Sequence, residues 1–584
     1  MKRRRFLLVL IKPSHYDDDG YVIQWFRSIM PSNSLAVLHG LARDAARREV
    51  LGPAVDIEVV LIDETNTRVR PPRLIAKLTR NNGFGLVGLV GVQSNQFNRA
   101  LDIARPLRAA GVQVVIGGFH VSGCLAMLPE MQPDVQSALD MGVTVFAGEA
   151  EGRLDGLLRD AARRRLAPIY DYLNDLPSME GAPIPFLMRD QVRLTLRNLS
   201  AFDAGRGCPY QCSFCTIINV QGRKSRRRSA DDVERIVRQN LAEGICQFFV
   251  TDDNLARNKE WEPIFDRLIK LREEEGLRVY LTAQVDTLCH RIPNFVEKAA
   301  RAGVDRVFIG IDSINPETLV AAKKRQNKIT EYRQLLLAWK NVGVIICADY
   351  ILGFPNDTPE SIRRDIEIIK KELPIDIIVF YCLTPLPGSE DHLTLSQKGV
   401  WMDPDMNAYD TEHAVTAHPT MSKSQWEDAY RTAWNAYYTP EHCETVLRRA
   451  AATNIDFGAV SDTLLYFSQF VTLEEVHPLQ GGVFRRKYRV DRRAGRPIES
   501  IWSFYPKYAV AVASKLLRTV TAMRKLKRIC KAIRGDPSRT SYRDSALIQP
   551  TDMEIESLNL FTRDPATRDA VKRLRNVSPA TAPE

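Results

Sequence analysis

Gly205-Arg-Gly-Cys208-Pro-Tyr-Gln-Cys212-Ser-Phe-Cys215 places three thiols on one Gly/Pro-bounded loop, spaced C-x3-C-x2-C. Thiolates at this spacing can hold three irons of a cubane cluster and leave the fourth iron without a protein ligand. An open iron is a site for chemistry, whereas clusters of the ferredoxin type are closed by four cysteines; closure here would need a remote fourth thiolate. Zinc also suits soft thiolates, but closed zinc sites usually pair two CxxC-like knuckles, and the sequence carries no second one. A packing role explains three cysteines this close in such a loop poorly.

Upstream of the loop, short apolar segments alternate with stretches of helical spacing. The segments are Phe6–Ile11, Asp56–Ile62, Gly85–Gly91, Val112–Gly118 and Thr144–Gly148. Alternation of this kind predicts a parallel sheet covered by helices on both faces, with ligands bound at its carboxyl edge. That edge carries Pro13-Ser-His15, Gln93-Ser94-Asn95, Gly117-Gly118-Phe-His120 and Gly148-Glu149-Ala-Glu151. A Pro-rich connector, Asp175 to Pro185, precedes a second β/α series running from about Leu194 to residue 390. Its strands are expected before Cys208 and at Ile245–Asp252, Val279–Asp286, Arg306–Asp312, Ile345–Phe354 and Ile377–Leu383. Beyond His392 longer amphipathic helices take over, and a polar tail from about Asp536 is expected to be weakly ordered. The fold class expected is α/β, with domains at 1–190, 191–400 and 401–535 (mainly helical) and a tail at 536–584.

The chain has 584 residues, enough for several domains, and a net charge of +10. No apolar run approaches the ~20 residues that span a bilayer. The start, Met1-Lys-Arg-Arg-Arg before Phe6–Ile11, passes into Lys12-Pro13 with no small-residue cleavage site, so it reads as a first strand, not a signal peptide. The seven cysteines outside the triad are scattered singly, which fits a reducing, cytoplasmic setting. Charge is uneven: residues 481–584 hold 23 Lys/Arg against 10 Asp/Glu, a net of +13, leaving −3 for the rest. The runs Arg485-Arg-Lys-Tyr-Arg489 and Arg524-Lys-Leu-Lys-Arg528 could face anionic lipid or nucleic acid, or form a solvated helix face.

The cysteine spacing, with aromatic Phe214 before the last thiol, resembles the radical S-adenosylmethionine (SAM) superfamily, and the second β/α series resembles its partial (β/α)6 barrel. That resemblance implies a [4Fe–4S] cluster on Cys208, Cys212 and Cys215, whose open iron chelates SAM and splits it reductively to a 5′-deoxyadenosyl radical. It also implies SAM contacts at strand ends. Asp252 and Asp253 end the strand after the cluster helix, and Gln284 closes the third strand. Gly310-Ile-Asp312-Ser313 resembles the G-x-E-S ribose signature with Asp in place of Glu, so Ser313 carries over better than the acid. Gly353-Phe-Pro355 resembles the G-x-P signature that lets backbone approach adenine. Each of these alone is also ordinary turn or cap chemistry.

Placed before such a barrel, the first domain resembles the cobalamin-binding half of B12-dependent radical SAM enzymes. By that resemblance Gln93, Ser94, Asn95, Gly117, Gly118, His120, Gly148 and Glu149 are the corrinoid candidates. The D-x-H-x-x-G motif that supplies a histidine below cobalt is absent, and neither His15 nor His120 has its context, so cobalamin is expected without such a ligand. The alternative is a degenerate domain acting as a lid. The reading that follows is a cobalamin-dependent radical SAM methyltransferase acting at an unactivated carbon of a small-molecule or lipid-like substrate, with an electron donor such as flavodoxin or ferredoxin. A radical cyclase or rearrangement enzyme is the nearest alternative. An RNA-modifying protein is the alternative from another class, and nucleic acid is disfavoured because no compact RNA-binding module is recognisable. Methylthiotransferases carry a second cluster on three further cysteines, whereas only Cys124 lies upstream of Cys208. Peripheral membrane contact is assigned to the basic C-terminal region.

Overall fold

A computed structural model describes residues 3–550. The first apolar segment forms the strand Arg4–Lys12, whose residues Phe6 to Ile11 are all buried, as expected of a strand covered on both faces. It lies between Val55–Asp63 and Gly85–Leu89, and Val114–Gly117, Thr144–Ala147 and Ile169–Asp171 follow in order, all parallel. In order of succession along the chain the sheet runs 2-1-3-4-5-6, the flavodoxin-like doubly wound arrangement. The crossovers reverse direction between the first and third strands, and ligands bind at such switch points. There the carboxyl ends bring Lys12–His15 beside Val90–Asn95. The three-residue strand Ile169–Asp171 is an addition to the five expected from sequence.

The second series forms six parallel strands in sequential order: Leu199–Phe202, Gln247–Val250, Tyr280–Val285, Val304–Asp312, Ile345–Leu352 and Ile377–Cys382. Sequential parallel order with crossover helices is an open (β/α)6 barrel. Two of its longer helices begin on side-chain caps: Ser229 Oγ accepts from Asp232 N, and Thr358 Oγ1 from Ser361 N. The outer strand Ile377–Cys382 would present unpaired backbone groups, and the C-terminal region occupies them. Tyr438 Oη accepts from Ile378 N (3.1 Å) and donates to Ile378 O (2.6 Å), while Cys382 N donates to Thr411 O (2.6 Å). One apolar core runs from Phe6, Leu8 and Leu10 of the first sheet into the barrel strands and on to Trp426 and Trp434.

The C-terminal region consists of helices Lys423–Tyr437, Pro440–Ala452, Phe457–Glu474 and Ile501–Gly535. It also returns to the first domain: Gly482–Arg486 pairs antiparallel with Gln24–Ser28. Part of the basic run Arg485–Arg489 is thereby neutralised within the chain. Arg485 pairs with Asp17 (2.6 Å), Lys487 with Asp17 and Asp19 (2.8 and 3.1 Å), and Arg493 with Asp405 (2.6 Å). Residues 536–550 are also placed otherwise than a weakly ordered tail would be. Asp544 pairs with buried Arg449 (2.7 Å), and Ala546 is fully buried. The remainder of that segment, 551–584, lies outside the described residues.

Candidate functional site

The short strand Gly205–Arg206 leads into the cysteine loop, and the helix Ile217–Val220 follows it. Gly207 takes left-handed backbone (φ 89°), and an added Cβ would strike the carbonyls of Lys224 and Gly222, so glycine is required there. Cys208 N donates to Gly222 O (3.3 Å), and Cys215 N to Cys212 O (3.2 Å). Burial, reinforced by the neighbouring thiols, pushes Cys208 up to about 11 and Cys215 up to about 12. Three half-buried sulfurs so disposed become thiolates once a cationic centre compensates them. Among the described residues no group of three His, Cys, Asp or Glu side chains converges on a single ion. A cubane asks for something else, one sulfur per iron, and the donor set fits it.

Several loops brace this one. Gln326 Nε2 reaches Cys212 Sγ at 3.5 Å. Tyr210, inside the motif, donates its hydroxyl to Asp286 Oδ2 (3.2 Å), which Arg257 and Asn254 also hold (2.5 and 2.9 Å). Asp252 is buried and accepts from Ala204 N (2.6 Å) and Asn258 Nδ2 (3.1 Å); burial pushes its carboxyl up to about 7. It therefore supports the entry to the loop through backbone. Asp253 accepts from Gly207 N (3.1 Å) and is likewise raised by burial, to about 6.

The other SAM candidates divide. Gln284 faces the barrel lumen, its Nε2 donating to Asp252 O (3.2 Å). Phe214 packs edge-on against Phe354 with centroids 6.2 Å apart. Ser313 Oγ accepts from Asn315 N (3.0 Å) at the start of the next helix. Pro355 is exposed. Gly353 has left-handed backbone (φ 97°), and the space a Cβ would need is filled by the ring of Trp426, whose Nε1 donates to Leu352 O (3.1 Å). The glycine thus admits a tryptophan from the C-terminal region, a contact that no local motif announces. Gly353→Ala is expected to destabilise the fold by at least ~1 kcal/mol, measured by denaturant unfolding. An unchanged midpoint would contradict the packing account.

Sequence reasoning missed Lys324 and Asp349. Lys324 pairs with buried Asp312, lies 5.9 Å from the Phe214 ring centroid, and occupies the space a Cβ at Gly310 would need, with Asp349 close by. Burial holds Asp349 up at about 6 despite Lys324. The charged run Lys323-Lys324-Arg325 was the available signal.

A cavity of about 750 Å³ opens at the switch point of the first sheet. Gln93, Ser94, Asn95, Gly117, Gly118, Gly148 and Glu149 line it, and so do Asp203, Arg206, Ile217 and Asp253 from the barrel side. The wall is largely apolar, with the hydroxyl and amide groups of Ser32, Ser34, Gln93, Ser94 and Asn95 set along the sheet edge, a mixture that suits an apolar macrocycle rimmed with amides. At Gly118 a Cβ would collide with the Val92 backbone, so this part of the wall must be bare. His120 is placed differently from its neighbours in the motif. It is buried behind the wall, with Nδ1 3.1 Å from Ser94 Oγ and Nε2 2.8 Å from Asp134 Oδ2, so both ring nitrogens are engaged. His15 does line the cavity, and burial lowers it to about 4, keeping it neutral.

Glu149 and Glu151 serve the interface between the domains. Arg206, two residues before Cys208, donates to Glu149 Oε2 (2.6 Å), Glu151 Oε1 (2.7 Å) and Asp203 Oδ2 (2.6 Å). Arg226 adds a second partner to Glu149 (3.0 Å), and Arg228 holds Asp203 (3.2 Å). Three carboxylates and three guanidinium groups balance in a buried set. Burial opposes ionisation of Asp203, but the two arginines prevail and hold it down at about 2.

An open (β/α)6 barrel with this cysteine loop, behind a doubly wound domain with a cavity shared between them, is the arrangement expected of a B12-binding-domain-containing radical SAM protein. The Radical SAM superfamily matches residues 204–369. The chain is 28% identical over 338 residues to a bacteriochlorophyllide d C-12(1)-methyltransferase of Chlorobaculum tepidum, covering 57% of this chain and 70% of that protein. It is 23% identical over 385 residues to a hopanoid C-2 methylase of Rhodopseudomonas palustris, covering 63% and 70%. The radical SAM methyltransferase TsrM of Kitasatospora setae, solved with cobalamin and a [4Fe–4S] cluster, superposes with a TM-score of 0.56 at 15% identity, covering 80% of this chain and 99% of that one.

Proposed function

We propose that this chain is a cobalamin-dependent radical SAM methyltransferase acting at an unactivated carbon of a small molecule. The observation that carries the proposal is the single cavity walled by the switch-point residues of the first domain and by Arg206, Ile217 and Asp253 beside the cysteine loop. Cys208, Cys212 and Cys215 would hold the cluster, and Gln93 to Asn95, Gly117, Gly118 and Gly148 would cradle the corrinoid. When bound, the cluster supplies the electron that cleaves SAM, and the corrinoid supplies the methyl group.

The chain's own residues do the positioning. Arg206 ties the cysteine loop to Glu149 and Glu151, so the two halves of the cavity keep a fixed separation. Asp252 and Asp253 hold the loop's entry through backbone N–H groups. Tyr381 lines both this cavity and the barrel lumen, where a substrate would sit within reach of both cofactors. The electron would come from a small donor such as flavodoxin or ferredoxin. The related methyltransferases named above are consistent with this reading, since the chain spans about 70% of their length.

Reduced holoprotein is expected to convert SAM to S-adenosylhomocysteine alongside 5′-deoxyadenosine, because one SAM gives a methyl group and another gives the radical. Chromatography of the products decides this. Sustained 5′-deoxyadenosine release with no S-adenosylhomocysteine would point to ring formation or rearrangement instead.

A further inference from the structure

The barrel lumen is large and mostly apolar, and it opens through a mouth where Phe26 and Phe484 stand beside Arg485, Arg486 and Lys487. Its volume is about 1570 Å³, and its walls include Phe249, Phe308, Tyr381, Phe467 and Phe470. The mouth lies where Gln24–Ser28 meets Gly482–Arg486 beside the helix Ile501–Gly535. Phe26 and Phe484 fall opposite one another in that ladder and both are exposed, Phe484 by 63% and with left-handed backbone (φ 54°). Left-handed backbone is costly for a bulky residue and persists where the surroundings impose it.

The helix beside the mouth has two distinct faces. Inward, Phe504 is buried, Tyr508 donates to Arg485 O (3.0 Å), and Lys515 pairs with Glu474 (2.6 Å). Outward stand Trp502, Val510 and Leu517, exposed by 89%, 69% and 69%, with Tyr505 beside them. Contiguous exposed apolar side chains mark an interaction surface, not a solvated one. Toward the C-terminal end of the same helix Arg524, Lys525, Lys527, Arg528 and Lys531 have no ion-pair partner among the described residues. Aromatic and aliphatic groups at one end and unneutralised cations at the other match the interfacial zone of an anionic bilayer. No helix among the described residues is long and apolar enough to cross a membrane, so the contact would be peripheral.

We propose that the outer face of Ile501–Gly535 docks on an anionic phospholipid bilayer, with the Phe26/Phe484 mouth turned to the membrane so that an apolar, bilayer-resident substrate enters the lumen without crossing water. The identity of the passenger as a methylation substrate rests on the function proposed above; the docking does not.

The test is co-sedimentation of full-length holoprotein with vesicles of phosphatidylcholine alone or with phosphatidylglycerol. Binding is expected to be about tenfold or more stronger on the anionic vesicles and to fall in high salt. It should weaken about as much in Val510→Glu/Leu517→Glu and in Arg524→Glu/Arg528→Glu. Reductive SAM cleavage should be unchanged in both pairs, since none of these residues touches the cluster loop. Lipids carrying a nitroxide on the acyl chain should quench Trp502, and in a Trp502→Phe background a Phe484→Trp reporter should be quenched as well. A protein that ignores vesicles overturns the proposal, whether a second copy or residues 551–584 cover this face. Docking without quenching of the Phe484→Trp reporter overturns the entry route. Normal docking with no SAM cleavage supports the surface while counting against the proposed reaction.

Discussion

Replacing any one of Cys208, Cys212 or Cys215 with alanine is expected to reduce reductive SAM cleavage to background and to strip the protein of iron and sulfide. Cys124→Ala and Cys289→Ala should retain both. The reason is chemical: each thiolate of the triad would serve its own iron, so two cannot do the work of three. Cys124 and Cys289 are both buried in the core; Cys289 is fully buried and pushed far up by desolvation, which suits a core thiol. Anaerobic iron and sulfide analysis reads the outcome. A fourth cysteine essential for retaining the cluster would remove the open iron from the account.

The second large effect is expected at Arg206. Arg206→Leu strands Glu149, Glu151 and Asp203 in a buried setting with one guanidinium fewer. Removing one partner from a buried charge set costs about 3–5 kcal/mol. Because the partners lie on different domains, corrinoid affinity should fall together with stability, even though Arg206 need not touch the corrinoid. A denaturant series and a cobalamin titration measure the two. Unchanged stability would contradict the interface account. The same set gives a pH signature. Asp203 is held down at about 2, below its ordinary value near 4. Its contribution is therefore present above pH 4 and lost as pH falls from about 4 toward 2, and Arg206→Leu should flatten that part of the acid limb.

The triad was legible because its three donors are local in sequence. So were the two β/α series, whose strands are continuous apolar runs between glycines. Gln93 to Asn95, Gly117, Gly118 and Gly148 were legible for a topological reason: a doubly wound sheet delivers its strand ends to one edge, where these residues line the cavity. What escaped was pairing across distance. Glu149 read as part of a ligand motif, yet its partners Arg206 and Arg226 lie 57 and 77 positions away. Gly353 read as an adenine contact, while Trp426 fills the space beside it from 73 positions on. The strand Gly482–Arg486 could not be inferred from its basic composition, because Asp17, which pairs with Arg485, and Asp19, which pairs with Lys487 just beyond it, lie in the first domain.

The measurement that bears most directly on the whole account is the cofactor content of holoprotein prepared and reconstituted without oxygen in the presence of cobalamin. One four-iron cluster and one corrinoid per chain are expected, with the corrinoid lost and the cluster kept in Gly118→Val, where the side chain would collide with the Val92 backbone. A cluster-loaded wild-type protein that binds no corrinoid would contradict the account and leave the first domain as a lid over a cobalamin-independent radical SAM barrel.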